Sequence, residues 1–201
     1  MRRRTFDALL TTGGLVVAVV LAIAGGLLAW GHNFIASNVH NQLAQQQIFF
    51  PPQAAFAHPK AGTEITPSMI PSVSKYAGKQ LLTGPEAKAY ADDFIGQHLA
   101  EMRYGGIYAK VSAASMANPT DQALAAEKQT VFQGTTLRSM LLNAYAFDKM
   151  GQIAGIAAEA AFIAAGGMLI LVGLGIVHSR RTQPDAELMA WLNDHTPVPA
   201  E

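Results

Sequence analysis

Leu9 to Trp30 reads LLTTGGLVVAVVLAIAGGLLAW, 22 residues without a charge. A hydrocarbon core of about 30 Å needs about 20 helical residues at about 1.5 Å each. Eleven of the 22 are Leu, Ile or Val. Each favours insertion near the bilayer centre by about 0.3–0.6 kcal/mol. The run therefore predicts a spanning helix over residues 9–31. Its length exceeds the roughly 7–15 apolar residues of a signal peptide, and no small-x-small cleavage triplet follows Trp30 cleanly, so an uncleaved anchor is expected.

Further along, Ile153 to Val177 forms a second apolar run whose one charge is Glu159. The expected second span is 151–178, with Glu159 near one interface. A carboxylate at the bilayer centre would cost about 2.5–3.5 kcal/mol. At an edge it snorkels to the headgroups, pairs with a basic partner or relays a proton. Arg2, Arg3 and Arg4 precede the first span, and Arg180 and Arg181 follow the second. Basic residues collect on the cytoplasmic side. The expected layout is a multi-pass protein of the cell membrane with a cytoplasmic N-terminus (1–8), an extracytoplasmic domain (32–150) and a cytoplasmic tail (179–201).

Composition agrees with this layout. Half of the 201 residues are hydrophobic and only 14% are charged, against about 25% in an average soluble domain. Fourteen basic residues balance fourteen acidic ones, which removes a global electrostatic case for nucleic acid. Without cysteine there is no disulfide framework, thiolate metal site or cysteine nucleophile.

Helices in lipid associate through close backbone approach. Gly14, Ala18, Ala22 and Gly26 recur every four residues and predict a packing seam on the first span. The second span offers Ala157, Ala161 and Ala165 on one stripe, and Gly151 and Gly155 on another.

Between the spans, residues 32–48 extend the first helix with an incomplete apolar stripe. Phe49 to Pro71 carries five prolines, which favour extended or turn backbone. It is expected to be an extended strap anchored by Phe49, Phe50, Phe56, Ile65, Met69 and Ile70. Pro85 to Met102 is the clearest amphipathic helix, with Tyr90, Phe94, Ile95, His98, Leu99 and Met102 on one face. Gly105-Gly106 ends it. From about Thr120 no proline intervenes, so one helix is expected to run into the second span, burying Val131, Leu137, Leu141 and Tyr145. Leu188, Trp191 and Leu192 give the tail an apolar side.

Reactive constellations are scarce. Six histidines are present, none spaced i,i+3 or i,i+4 from another as helical metal ligands would be. His98 and Glu101 fall one turn apart, short of a full ligand set. No G-x-S-x-G, Walker loop, dinucleotide glycine pattern or H-E-x-x-H occurs. Tyr104-Gly-Gly-Ile-Tyr108 reads as a turn flanked by aromatics. Arg138, on an otherwise apolar face, is expected to pair with Asp92 or Asp93. Tyr90, Phe94 and His98 are the expected lining if the domain holds a pocket.

Tyr76-Ala-Gly78, Gly84-Pro85-x-Ala87, Ala89-x-Ala91-Asp92, Ile95-x-x-His98, Tyr108 and Gln133-Gly-Thr-Thr-Leu137-Arg138-Ser-Met-Leu141 resemble a family of actinobacterial two-span membrane proteins. Most members have no known function, and many carry the label "aromatic ring-opening dioxygenase". The resemblance implies the two-span layout and no catalytic residue. Such an enzyme needs iron on clustered His and carboxylate groups, and the sequence supplies no such cluster.

The fold expected is therefore mostly α: two transmembrane helices flanking an extracytoplasmic helical domain with a Pro-rich strap. The expected function is non-enzymatic and needs no cofactor. The leading form is an accessory or scaffold subunit of a membrane or envelope complex. The alternative is an extracytoplasmic module that binds or senses a small molecule. Its partners are the bilayer and either another membrane protein or a second copy.

Overall fold

The computed structural model describes residues 3–181. The tail positions Leu188, Trp191 and Leu192 lie outside the described residues. The described chain is mostly helical. Its two longest helices are α1 (Arg3–Gln46) and α6 (Gln122–Arg181), of 44 and 60 residues. Four shorter helices lie between them: α2 (Ile70–Val73), α3 (Gly84–Ala89), α4 (Gly96–Glu101) and α5 (Tyr108–Ala117). α1 and α6 are each long and apolar enough to cross a membrane. The described residues divide into two compact units: 3–31 with 154–181, and 32–153.

The first unit pairs α1 with α6. A side-chain carbon added at Gly14 would meet Val172 and Met168, one at Gly25 would meet the ring of Phe162, and one at Gly175 would approach Thr11. Rising numbers on one helix meet falling numbers on the other, so the pair is antiparallel. Ala18 is 2% exposed. The expected stripe is followed only over its first half, because Ala22 and Gly26 are exposed while Gly25 is buried. The cause is geometric. A strict four-residue step overshoots a 3.6-residue turn by about 40° each time, so the contact line passes from Ala18 to Leu21 and Gly25.

α6 behaves the same way. Its less exposed line, Ala158, Ala161, Ala165, Met168 and Val172, alternates steps of three and four. That is the spacing of a left-handed helix pair. Of the residues expected on the second seam, Ala165 is buried, and Gly155, Ala157 and Ala161 are partly so. Away from this line the pair is clothed in exposed apolar side chains, among them Val16, Val20, Ile23, Leu27, Ile156, Ile163, Ile170 and Leu174.

The second unit is built on the remainder of α1 and α6. Here Gly151 is buried, because a side chain would collide with Ile35. His32 Nδ1 lies 2.8 Å from the Gly151 carbonyl oxygen. Val39 and Leu43 of α1 and Leu141 of α6 meet Phe50, Phe56, Ile65, Met69, Val73, Leu81, Ala87 and Ala91 in the main core. A smaller core joins Leu99, Val111, Leu124 and Val131.

The Pro-rich segment is ordered, but it is not the expected extended strap. It winds through 3-10 turns at Gln53–Ala57, Pro67–Met69 and Ser74–Tyr76, with α2 between the last two. Proline at the start of a helical turn has its φ pre-set and no N–H to lose, and Pro67 and Pro71 occupy such positions. Phe50, Phe56, Ile65 and Met69 are buried as expected, whereas Phe49 is exposed. The segment's ends are fastened together. Phe50 N–H donates to the Lys79 carbonyl, Leu81 N–H to that of Ile48, and Gly78 N–H to that of Pro51, each at 2.9 Å.

Local signals fix the helix ends. Gln47, at φ 52°, ends α1, and the Gln80 side chain donates to the Ala44 carbonyl at 2.9 Å. Thr83 and Glu86 form a reciprocal capping box at the start of α3, a device that satisfies otherwise orphaned N–H groups. Asp121 caps α6 by accepting from Leu124 N–H. The expected Pro85–Met102 helix is present with one irregularity. Tyr90–Ile95 is wound as a π-helical turn between α3 and α4.

Candidate functional site

In the second unit, α1 and α6 are covered on one side by the main core. Elsewhere they leave a groove of about 500 Å³. One wall is Phe34, Ile35, Asn38, Val39, Gln42, Leu43 and Gln46 of α1, and the other is Met140, Asn143, Ala144 and Phe147 of α6. Phe34, Asn38, Gln42 and Gln46 form a row at four-residue spacing, which brings side chains onto one face of a helix. Ligand sites are concave, mostly apolar and about 300–1,000 Å³ in volume, with a few polar groups that fix orientation. This groove has that composition and size.

None of its lining side chains carries a formal charge. Its polar groups are four carboxamides, which both donate and accept. Gln42 Nε2 donates to Asn38 Oδ1 at 2.6 Å. Gln46 and Asn143 make no side-chain hydrogen bond to another described residue. Arg138 and Asp148, the charges that bracket residues 139–147, are engaged elsewhere. Arg138 Nη2 donates to Asp92 Oδ1 at 2.8 Å, and Asp148 Oδ2 accepts from Gln152 at 2.7 Å.

The three residues expected to line a pocket form a different feature. Tyr90, Phe94 and His98 stack along the α3–α4 segment, with centroids 4.8 Å apart for Tyr90–Phe94 and 4.7 Å for Phe94–His98. Phe50 closes edge-on against Tyr90 at 5.3 Å. His98 Nδ1 lies 2.9 Å from the Phe94 carbonyl oxygen. Tyr90 and Phe94 pack against the main core, and none of the three lines the groove. Burial raises the Tyr90 hydroxyl pKa, helped by the nearby Glu64 charge.

Arg138 pairs with Asp92 as the sequence suggested, and Asp92 also binds Lys88. The Lys88 hydrogen bond, against a smaller effect of burial and with help from Arg138, holds the Asp92 carboxyl below its ordinary 3.8. A depressed folded-state pKa contributes stability above the unfolded value, and this is lost as pH falls through the folded value. Acid titration of the melting temperature should therefore show a shallower fall below about pH 4 in Asp92→Asn than in the parent chain. Parallel acid limbs would remove the pair from the stability of the fold.

Glu159 is exposed in the first unit. Gly105 and Gly106, with Tyr104, all adopt positive φ, so Tyr104-Gly-Gly-Ile-Tyr108 is a turn with a backbone purpose. Among the described residues, no three His, Asp or Glu side chains come together in a way that could hold a metal ion. Among the described residues, His98 and Glu101 acquire none of the further ligands an iron site needs.

No family model, curated protein or solved structure matches this chain. The groove is what sequence reading missed. Its signal was the absence of any charged residue between Asp7 and Lys60, a stretch that outlasts the span by more than twenty residues.

Proposed function

We propose that the chain is a non-enzymatic binding protein of the cell membrane. Two spanning helices, with both ends cytoplasmic, hold residues 32–150 outside as an extracytoplasmic binding domain. The observation that carries this reading is the uncharged groove of about 500 Å³ between α1 and α6. Its lining of apolar groups and carboxamides suits recognition and offers no nucleophile or acid–base pair. The low burial of the two apolar windows, 11% and 6%, supports a lipid surrounding, since core helices of a soluble protein bury most of their apolar surface. Of the two functions raised by the sequence, a concave groove favours small-molecule binding. Phe34, Met140 and Phe147, all more than half exposed at its walls, keep docking of a partner protein as the second reading.

Cysteine-free chains allow a direct test. Ser68→Cys should react with an impermeant maleimide added outside intact cells, and Ser179→Cys only after the cytoplasmic face is opened. The reverse pattern inverts the topology, and release of the chain by carbonate washing removes the anchoring. Purification in mild detergent, followed by organic extraction, should then yield a small molecule in stoichiometric amount. A co-purifying polypeptide with no small molecule would transfer the groove to the docking reading.

A further inference from the structure

We infer that the groove takes an uncharged amphiphile: a single alkyl or isoprenoid chain ending in a hydroxyl or carbonyl head. This rests on the binding reading above and adds the ligand's chemistry and its direction in the site.

Direction comes from the order of side chains along the walls. Ile35 packs at Gly151, and His32 reaches the Gly151 carbonyl, so in this unit too α1 and α6 run antiparallel. Phe34 and Ile35 therefore lie toward the end of the groove nearer Phe147, and Ala144 falls beside Asn143. Gln42 and Gln46 share the other with Met140 and Asn143. The first end is apolar and stands, in sequence, next to the predicted spans. The second carries three of the four carboxamides, of which Gln46 and Asn143 make no side-chain hydrogen bond to another described residue. A groove that is apolar at one end and amide-lined at the other matches a molecule with the same gradient.

The absence of charge among the lining residues sets the head group. A carboxylate or phosphate would be desolvated with no cation in the lining to oppose it, an unfavourable transfer unless it neutralises. Arg138 is held by Asp92. A hydroxyl or carbonyl can instead exchange its water for Gln46 and Asn143 at little net cost.

The experiment uses the full chain in phosphatidylcholine vesicles. Two photoreactive probes share one alkyl chain: a monoacylglycerol and the corresponding fatty acid, kept ionised in mildly alkaline buffer. Adducts are mapped to peptides by mass spectrometry, with adducts in the two apolar runs as the internal reference. The monoacylglycerol should label residues 34–46 and 140–147, and the ionised acid should leave them at background. Met140→Trp, at a 59% exposed position, and Ala144→Phe should each abolish the groove adduct while the reference adducts and helical circular dichroism persist. Retained labelling in both variants would overturn the site. Equal groove labelling by the two probes would overturn the uncharged head and leave small-molecule binding standing. No groove adduct from either probe, or a groove covered by a cross-linked polypeptide, would overturn this inference and the binding reading together.

Discussion

Gly106→Ala should destabilise the second unit by about 2–5 kcal/mol. Gly106 has φ 63° and is buried. A left-handed backbone costs a residue with a Cβ about 1–2 kcal/mol. The added carbon would also collide with the carbonyl oxygen, carbonyl carbon and Cβ of Leu99. Leu99 is 8% exposed and belongs to the smaller core, so the backbone there cannot retreat without opening it. Overpacking of this kind typically costs a further 1–3 kcal/mol or so. Gly105 is the internal control. Its φ is 64°, but a side chain there meets nothing within 4 Å, so Gly105→Ala should show only the backbone part. Thermal unfolding of the full chain in mild detergent measures both. Equal losses for the two variants would show that the clash at Leu99 is relieved by movement.

Leu141→Ala should cost about 2–5 kcal/mol, the range for truncating a buried leucine. Leu141 is 1% exposed and lies in the main core with Val39, Leu43 and residues of the Pro-rich segment. The cavity would open within the cluster these residues form. Its neighbour Met140 is 59% exposed. Met140→Ala should change stability by no more than about 0.5 kcal/mol. A loss for Leu141→Ala near that of Met140→Ala would mean that the second unit lacks a tight core.

Much of this architecture was readable from residue pattern. Two long apolar runs, one of them interrupted only by Glu159, located the two long helices. The lack of proline between Pro119 and the second apolar run foretold that α6 would be continuous, and Arg138 on an apolar face pointed to its acidic partner. Val131 and Leu141 are buried as their spacing required.

Other features depended on information the local sequence does not hold. Proline excludes the interior of a helix but permits the first turn, so five prolines could not distinguish an extended strap from successive short turns. Which face of α1 is buried followed from the drift of a four-residue step, visible only once α6 supplied the opposing surface. The π turn at Tyr90–Ile95 has no composition of its own to mark it. The capping box of Thr83 and Glu86 went unread, although the two stand at the required spacing. The groove was not legible, because it exists only between two helices separated by some hundred residues. Its carboxamides look like ordinary solvated positions until Met140, Asn143 and Phe147 are placed opposite.

The fastening of Ile48–Pro51 to Gly78–Leu81 has an evolutionary consequence. The outermost turn of the intervening segment, Lys60 to Ile65, is itself closed by a hydrogen bond from Lys60 N–H to the Ile65 carbonyl at 2.9 Å. Residues 60–64 are exposed, and Gly62 touches nothing with room for a side chain. Material inserted at Gly62 adds only the slowly growing entropy of a longer loop. The tip is thus free to diverge in length and composition between descendants, or to carry a reporter, while both cores keep their register.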